Sequence, residues 1–514
     1  MNLYAVNERM ARQRSQSTFL KGDGETISYA EFHRRVGRSA ATLAALGVGR
    51  GDRVASILHN RVLGLELMYA CAWLGAIWSP VNWRLAVAEW GFILNDLEPT
   101  VVVVEDDLLA DVDKLGGGWT LFAVDAPSER AWTARTSAER APDPPLAPVR
   151  LDEPARIMYT SGTTAHPKGV ILSHGNILFK NAAYEREFDL RPDDVVLMMG
   201  PMFHVGGLDA PGVAIVNQGG TLVVLPTFEP SLVLETIERE GVTVLWSAPT
   251  MTEMILAAAD ELPGAATASV RVVLTGSSQS SPDLLGRATT AFPNAVIADG
   301  YGMTETASGS LFIDVRSHPE KAGAVGSIDR PVMYERMRVV DAEGRDVETG
   351  EPGEILVSGG KLFQGYWRNE QATRETLDEE GWFHTGDIGL LDEDRFLYVV
   401  DRQKDMIKSG GENIGSLEIE RVVGAIDGVE SAAAVAAPDE KWGEVPAVFV
   451  EALPGSSVDA ELVRERCRSN LAKFKVPKYV HIVDSVPRTP SGKARKGELR
   501  KLAAELAGRP EVQA

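Results

Sequence analysis

Between Tyr159 and Val170 the chain reads YTSGTTAHPKGV, directly after the apolar run ARIMYT begins. Thr160, Ser161, Gly162, Thr163 and Thr164 combine short hydroxyl side chains with backbone N–H groups that little side-chain bulk obstructs. A loop of that kind after a strand is suited to a polyphosphate, which needs many donors converging on its oxygens. Lys168 adds a compact point charge. The spacing G-x-x-x-x-G-K-S/T of a Walker-type loop is absent. Taken alone, such a stretch is more often a polar surface turn.

It does not stand alone. DGYGMTE spans Asp299 to Glu305, GWFHTGD ends at Asp387, DRQKDMIKSGGENI spans Asp401 to Ile414, and PRTPSGKARKGELR contains Lys493. In this order and spacing the five blocks resemble the adenylate-forming superfamily of acyl-CoA synthetases, standalone adenylation domains and luciferases. The resemblance covers nearly the whole chain. It implies a chain that activates a carboxylic acid with ATP and Mg²⁺, releases pyrophosphate, and then passes the acyl group from AMP to a thiol, usually that of coenzyme A.

By the same resemblance each motif carries a role. Thr160 to Thr164 and Lys168 look like the phosphate loop. Tyr301 looks like the adenine-stacking ring, with Asp299 near the adenine amine. Thr304 would bond the α-phosphate and Glu305 would hold Mg²⁺, a hard cation that takes oxygen ligands. Asp387 and Arg402 look like the ribose-hydroxyl pair. Lys493 is similar to the lysine that bridges the substrate carboxylate and the α-phosphate. Lys404 occupies the hinge position. Arg84, Gly410, Gly411, Trp442, Phe474 and Lys478 resemble positions that hold coenzyme A, although Val476 stands where some relatives carry Arg. His204 in MFHVGG sits where the family has a residue between acyl pocket and thiol tunnel. Gly276, Ser277, Ser278, Gly302 and Met303 would line the acyl pocket, and the small size of Gly276, Ser277 and Ser278 suits a medium-to-large acyl group better than acetate.

These residues need a frame. SLVLETIERE, TMTEMILAAADEL and PDLLGRATTAF alternate as helices with the strands TLVVLP, VTVLWSAP and VRVVLTGSS. Earlier, Ser28 and Glu31 have capping-box spacing ahead of the helix YAEFHRRVGRSAATLAAL. RVASILH and TVVVVE read as strands around the helix VLGLELMYACAWLGA. Strand–helix–strand alternation predicts parallel sheets with helices on both faces, and catalytic loops at the carboxyl ends of strands. RAWTARTSAERAPDPPLAPVRLDEP reads as a surface connection. After Gly323 short alternating runs with Gly turns predict a β-rich subdomain, and a smaller α+β unit follows. The expected division is an N-terminal AMP- and acyl-binding domain, 1–402, and a mobile C-terminal domain, 403–514.

The bulk composition agrees. The chain has 514 residues, is 44% hydrophobic, and carries a formal charge of −21, which argues against a general nucleic-acid binder. Its two cysteines, Cys71 and Cys467, cannot form a disulfide framework, so a cytoplasmic setting is expected. No secretory signal is evident at the N-terminus, and no apolar run of about 18 residues predicts a membrane span. A small-molecule acid, ATP and coenzyme A are the expected partners, and a homodimer is compatible with them.

Two alternatives stay open. Ala165 stands where the family usually has glycine; if it impairs adenylation, the chain would chiefly convert an acyl-adenylate to a thioester. The chain could also be a standalone adenylation enzyme loading a carrier protein. A non-enzymatic ligand-binding protein is opposed by the intact Glu305, Asp387 and Lys493. Gly415–Ser416 also departs from the Tyr-Pro or Ser-Ser common in the family. If position 165 needs a left-handed backbone, alanine costs roughly 1–2 kcal/mol there. Ala165→Gly would then raise acid-dependent pyrophosphate exchange about tenfold. An unchanged rate marks Ala165 as a neutral variation.

Overall fold

A computed structural model describes residues 2–126, 129–138, 144–160, 167–261, 267–278, 280–321, 323–402, 404–409, 412–439, 441–489 and 493–507. The chain divides into two compact units, residues 1–337 with 357–383, and residues 338–356 with 384–514. The boundary expected at 402/403 falls inside the second unit.

Among the described residues the first unit is a mixed α/β body with two sheets. One runs Thr120–Ala123, Val101–Val104, Arg53–Ile57, Ile77–Pro80, Pro154–Thr160, Lys168–Ser173. Its strands are parallel except for the last, which closes an antiparallel hairpin. The other runs Ser308–Asp314, Val296–Met303, Val272–Gly276, Val244–Ser247, Val195–Met198, Thr221–Val224, Thr18–Gly22, Glu25–Ser28, parallel in the middle and antiparallel at both ends. All four valines of Val101–Val104 are fully buried, as an unbroken apolar run in a two-sided parallel sheet should be. Apart from the partly buried Glu66, the helix Val62–Leu74 is apolar and buried, and it stops at Gly75, whose φ of +68° takes the left-handed C-cap.

A four-stranded sheet is ordered Glu335–Val340, Gly353–Gly359, Phe383–Leu391, Leu397–Arg402, and residues 338–340, 353–356, 384–391 and 397–402 of it belong to the second unit. A second sheet runs Glu412–Ile414, Ile407–Ser409, Gly443–Ala452, Val429–Asp439, with Tyr479–Val483 parallel to Gly443–Ala452. The helices Ser416–Gly424, Ala460–Asn470 and Lys496–Leu506 complete it. Both cysteines are buried and free. No helix among the described residues is long and apolar enough to cross a membrane.

Local expectations differ from the structure in two places. Ser28 Oγ accepts from Glu31 N at 3.2 Å, but the Glu31 carboxylate turns to Arg35 Nε at 3.0 Å, so the box is only half closed. A reciprocal box forms instead at Ser173 and Asn176: Ser173 Oγ accepts from Asn176 N at 3.1 Å, and Ser173 N donates to Asn176 Oδ1 at 2.9 Å. The segment expected as a surface connection contains the helix Trp132–Ala138, because Trp132 is buried against Phe122 and pins it to the sheet.

The first unit is fastened by buried charge. Arg156, on the strand Pro154–Thr160, donates through Nη2 to Asp209 Oδ2 at 2.5 Å. Lys180, on the helix His174–Glu187, lies 3.1 Å from Asp209 Oδ1 and 3.2 Å from the Asp209 carbonyl. All three side chains are at most 1% exposed. Burial holds the Lys180 ammonium down to about 8, while the Asp209 charge works against that fall. Removing the one anion strands two buried cations, which costs about 3–5 kcal/mol. Asp209→Ala should lose that much stability in urea unfolding, and adding Lys180→Met should restore a measurable share. Asp209→Ala with wild-type stability would contradict the reading.

Candidate active site

Thr160 and Lys168 face each other as the last pair of the antiparallel hairpin, and Thr160 Oγ1 approaches Lys168 O at 3.5 Å. Ser161, Gly162, Thr163 and Thr164, together with Ala165, lie outside the described residues.

The neighbouring sheet delivers the other half of the site. Strands Val272–Gly276 and Val296–Met303 pair in register, Thr275 against Asp299 and Gly276 against Gly300, so their carboxyl ends emerge together. Two glycines there have steric reasons. Gly276 has φ +158°, and a Cβ on it would meet Gly300 O at 2.8 Å. A Cβ on Gly302 would meet Ser308 O at 2.2 Å. Ser277 follows with φ +75°, and the exit turn at Ala307 and Ser308 is also left-handed, at +52° and +116°. Gly276, Ser277 and Ser278 are thus carried to one strand end, and Gly302 and Met303 to the end of the next. Tyr301 is buried at this edge, and Thr304 and Glu305 enter the short 3-10 turn Thr304–Thr306. Thr306 Oγ1 stabilises that turn, accepting from Met303 N at 3.1 Å and donating to Ser308 O at 2.6 Å.

Asp299 is buried, and its Oδ1 accepts from Ser280 Oγ at 2.9 Å. Burial pushes its carboxyl up to about 7, against the opposing pull of Ser280 and the Gly300 N–H.

One segment that the sequence reading passed over joins these pieces. In FQGYW, residues 363–367, Phe363 N donates to Glu305 O at 2.8 Å and Tyr366 Oη to Glu305 Oε1 at 2.9 Å. On the hairpin side Ile171 N donates to Gly365 O at 3.1 Å, and Trp367 N to Gly169 O at 2.7 Å. The Lys168 ammonium stands 4.9 Å from the Tyr366 ring centroid. Lys168 and Glu305 therefore share one aromatic residue. The segment has no periodicity that would have marked it; its cue was the Gly-Tyr-Trp cluster in an otherwise polar stretch.

Elsewhere in this unit, His204 caps the helix Val205–Asp209, its Nδ1 accepting from Gly206 N at 3.1 Å. Arg84 places its guanidinium 4.9 Å from the Trp83 ring centroid, and the Arg84 backbone N–H donates to Asn82 Oδ1 at 2.9 Å.

In the second unit, Asp387 and Arg402 are cross-strand partners with Arg402 Nε 3.1 Å from Asp387 Oδ1. Lys404 sits in the turn that follows, where Asp405 N and Met406 N both donate to Arg402 O, at 2.8 and 3.0 Å. Gly410 and Gly411 lie outside the described residues. Asp439, also missed from sequence, gathers two expected residues: it pairs with Lys478 Nζ at 2.5 Å and accepts from Trp442 N at 2.9 Å. Trp442 and Phe474 are both exposed aromatic surfaces, with Lys441 Nζ 4.6 Å and Lys475 Nζ 5.8 Å from the respective ring centroids. Lys493 is exposed; Thr489 N donates to Lys493 O at 2.7 Å and Lys493 N to Thr489 Oγ1 at 3.1 Å. The unusual Gly415–Ser416 is built in. A Cβ on Gly415 would meet Val400 O at 3.1 Å, and Ser416 N donates to Asp401 Oδ2 at 2.5 Å.

No group of three or more His, Cys, Asp or Glu side chains gathers as a metal cage among the described residues. A single carboxylate, Glu305, fits Mg²⁺ that arrives largely coordinated by phosphate oxygens and water.

Comparison with known proteins gives a consistent picture. The model of the AMP-binding enzyme family matches residues 7–367, and that of the AMP-binding enzyme C-terminal domain matches residues 418–493. A feruloyl-CoA synthase of Amycolatopsis is 38% identical over 96% of this chain and 97% of its own. An indoleacetate–CoA ligase of Aromatoleum aromaticum is 35% identical over 98% of each. The ATP-bound crystal structure of MatB from Rhodopseudomonas palustris superimposes with a TM-score of 0.88 at 29% identity, covering 98% of this chain and 100% of that one.

Asp299 gives a pH signature. Its folded value is raised from 3.8 to about 7, so its contribution is intact below pH ~4 and is lost as pH climbs through about 7. At ~1.4 kcal/mol per unit the loss reaches up to about 4 kcal/mol. Asp299→Asn cannot ionise, so its urea stability should gain on the wild type steadily between pH 4 and 8. Parallel profiles would contradict the burial account.

Proposed function

We propose, on the premise that the chain belongs to the AMP-binding enzyme family and is an ATP-dependent acid–thiol ligase, that it joins an aryl-substituted carboxylic acid to coenzyme A through an acyl-adenylate. The substrate class rests on two relatives of nearly full-length coverage, whose names specify feruloyl and indoleacetate substrates. The observation that carries the catalytic reading is the tie from Glu305 to Lys168 through residues 363–367.

In the first step a carboxylate oxygen of the acid attacks the α-phosphorus, and the bond to the departing pyrophosphate breaks. The hydroxyl loop after Thr160 and the Lys168 ammonium receive the β- and γ-phosphates. Tyr301 stacks on adenine and Asp299 faces its amine. Thr304 holds the α-phosphate, and Asp387 with Arg402 takes the ribose hydroxyls. Lys493 neutralises charge that builds between the carboxylate and the phosphate, a contribution a fixed cation makes without proton transfer. Glu305 would hold Mg²⁺, which would supply charge neutralisation for the phosphates.

In the second step the coenzyme A sulfur attacks the acyl carbon and AMP departs with the bonding electrons. Lys404 is the proposed hinge for the change of arrangement between steps. Trp442, Phe474 and Lys478, with Arg84 and Gly410–Gly411, receive coenzyme A. His204 stands between acyl group and thiol, with Gly276, Ser277, Ser278, Gly302 and Met303 around the acyl group.

Ferulate and indole-3-acetate should support ATP–pyrophosphate exchange. Lys493→Ala should lower it by ~10²-fold or more, the scale of losing one aligned electrostatic contact, while thioester formation from preformed feruloyl-adenylate survives. Equal loss of both half-reactions contradicts the role of Lys493. No exchange with any aryl acid contradicts the reading as a whole.

A further inference from the structure

We infer that Tyr366 is a positioning residue that sets the geometry between the magnesium-holding carboxylate Glu305 and the phosphate-binding ammonium of Lys168, an inference that rests on the ligase reading above. Tyr366 is 8% exposed. Its hydroxyl donates to Glu305 Oε1 at 2.9 Å. An O–H donor on a carboxylate is a charge-assisted bond, and it fixes the orientation of the carboxylate. The ring face lies 4.9 Å from the Lys168 nitrogen. Attraction to the π-cloud steadies the ammonium without neutralising it, so the full charge stays available for phosphate.

The residue is itself held on both sides. Tyr366 N donates to Thr373 Oγ1 at 2.9 Å, and Val170 and Tyr366 pair as an antiparallel bridge. Gly365, with φ +130°, makes the bend that brings the ring under the hairpin; a Cβ there would meet Thr373 Cγ2 at 2.8 Å. Phe363 packs edge-on to the ring at 5.0 Å. The same short segment is bonded to Glu305 at Phe363 N and to the hairpin at Trp367 N. The spacing of the two charged groups is thus set by contacts within the protein. Mg²⁺ demands near-ideal octahedral geometry, so a carboxylate fixed in this way binds it with less reorganisation than a mobile one.

The test is isothermal titration of ATP into the enzyme, with and without Mg²⁺, for the wild type, Tyr366→Phe and Tyr366→Leu. Tyr366→Phe keeps the ring and removes the hydroxyl. Its ATP affinity without Mg²⁺ should stay within about twofold of wild type, while the gain in affinity on adding Mg²⁺ falls about tenfold or more, the scale of one hydrogen bond to a charged group. Tyr366→Leu should lose that gain and also bind Mg²⁺-free ATP roughly 2- to 5-fold more weakly, through Lys168. On a Glu305→Gln background Tyr366→Phe should have no further effect on the gain. A wild-type Mg²⁺ gain in Tyr366→Phe overturns the inference. So does an equal loss with and without Mg²⁺ accompanied by a lower melting temperature, which marks a structural role only. Wild-type enzyme that shows no acid-dependent pyrophosphate exchange overturns the ligase reading and this inference with it; exchange in the wild type with unaltered Mg²⁺ dependence in the variant overturns this inference alone.

Discussion

The first unit depends on one buried carboxylate serving two cations. Asp209 receives Arg156 from the strand that ends at Thr160 and Lys180 from the helix that follows the hairpin. It also ends the helix that His204 caps. Charges out of water accept few alternative arrangements, because any shift leaves a cation unpaired at a cost of several kcal/mol. The hairpin carrying Lys168 and the loop carrying His204 are therefore held in a common frame. A second buried pair extends it: Lys361 Nζ lies 3.0 Å from Glu335 Oε2 and donates to Gly309 O at 2.6 Å, joining the segment before Phe363 to the strand after the Glu305 turn.

On that frame the chemistry needs few parts. Backbone strain at Gly276, Ser277, Ala307 and Ser308 is confined to strand ends, where side chains must turn outward or vanish. Between those turns lie the residues assigned to adenine, α-phosphate and metal. The second unit carries its own pre-assembled pieces, the Asp387–Arg402 pair and the Asp439 cluster that gathers Trp442 and Lys478.

Much of this was legible in the sequence, and the exceptions share a cause. Strands such as Val101–Val104 and helices such as Pro230–Glu240 were readable because burial on sheet faces imposes composition and period. The motif residues stood out by their resemblance to the family's motifs, and their roles at the site are part of the proposal. Asp209, Tyr366 and Asp439 were not. Each works by connecting partners distant in sequence, Asp209 to Arg156 and Lys180, Tyr366 to Lys168 and Glu305, Asp439 to Lys478, and no local pattern records such a meeting. Trp132 escaped likewise, since one buried ring turned a Pro- and Arg-rich stretch into a helix. Ala165, the residue on which the two-step reading is most exposed, lies outside the described residues.

The most direct measurement is mass spectrometry of the products formed from a panel of aryl and aliphatic acids with ATP, first without and then with coenzyme A. The account requires acyl-AMP and pyrophosphate in the first reaction and acyl-CoA with AMP in the second, with aryl acids leading the panel. ATP left intact with every acid, or acyl-AMP that coenzyme A never consumes, would contradict it.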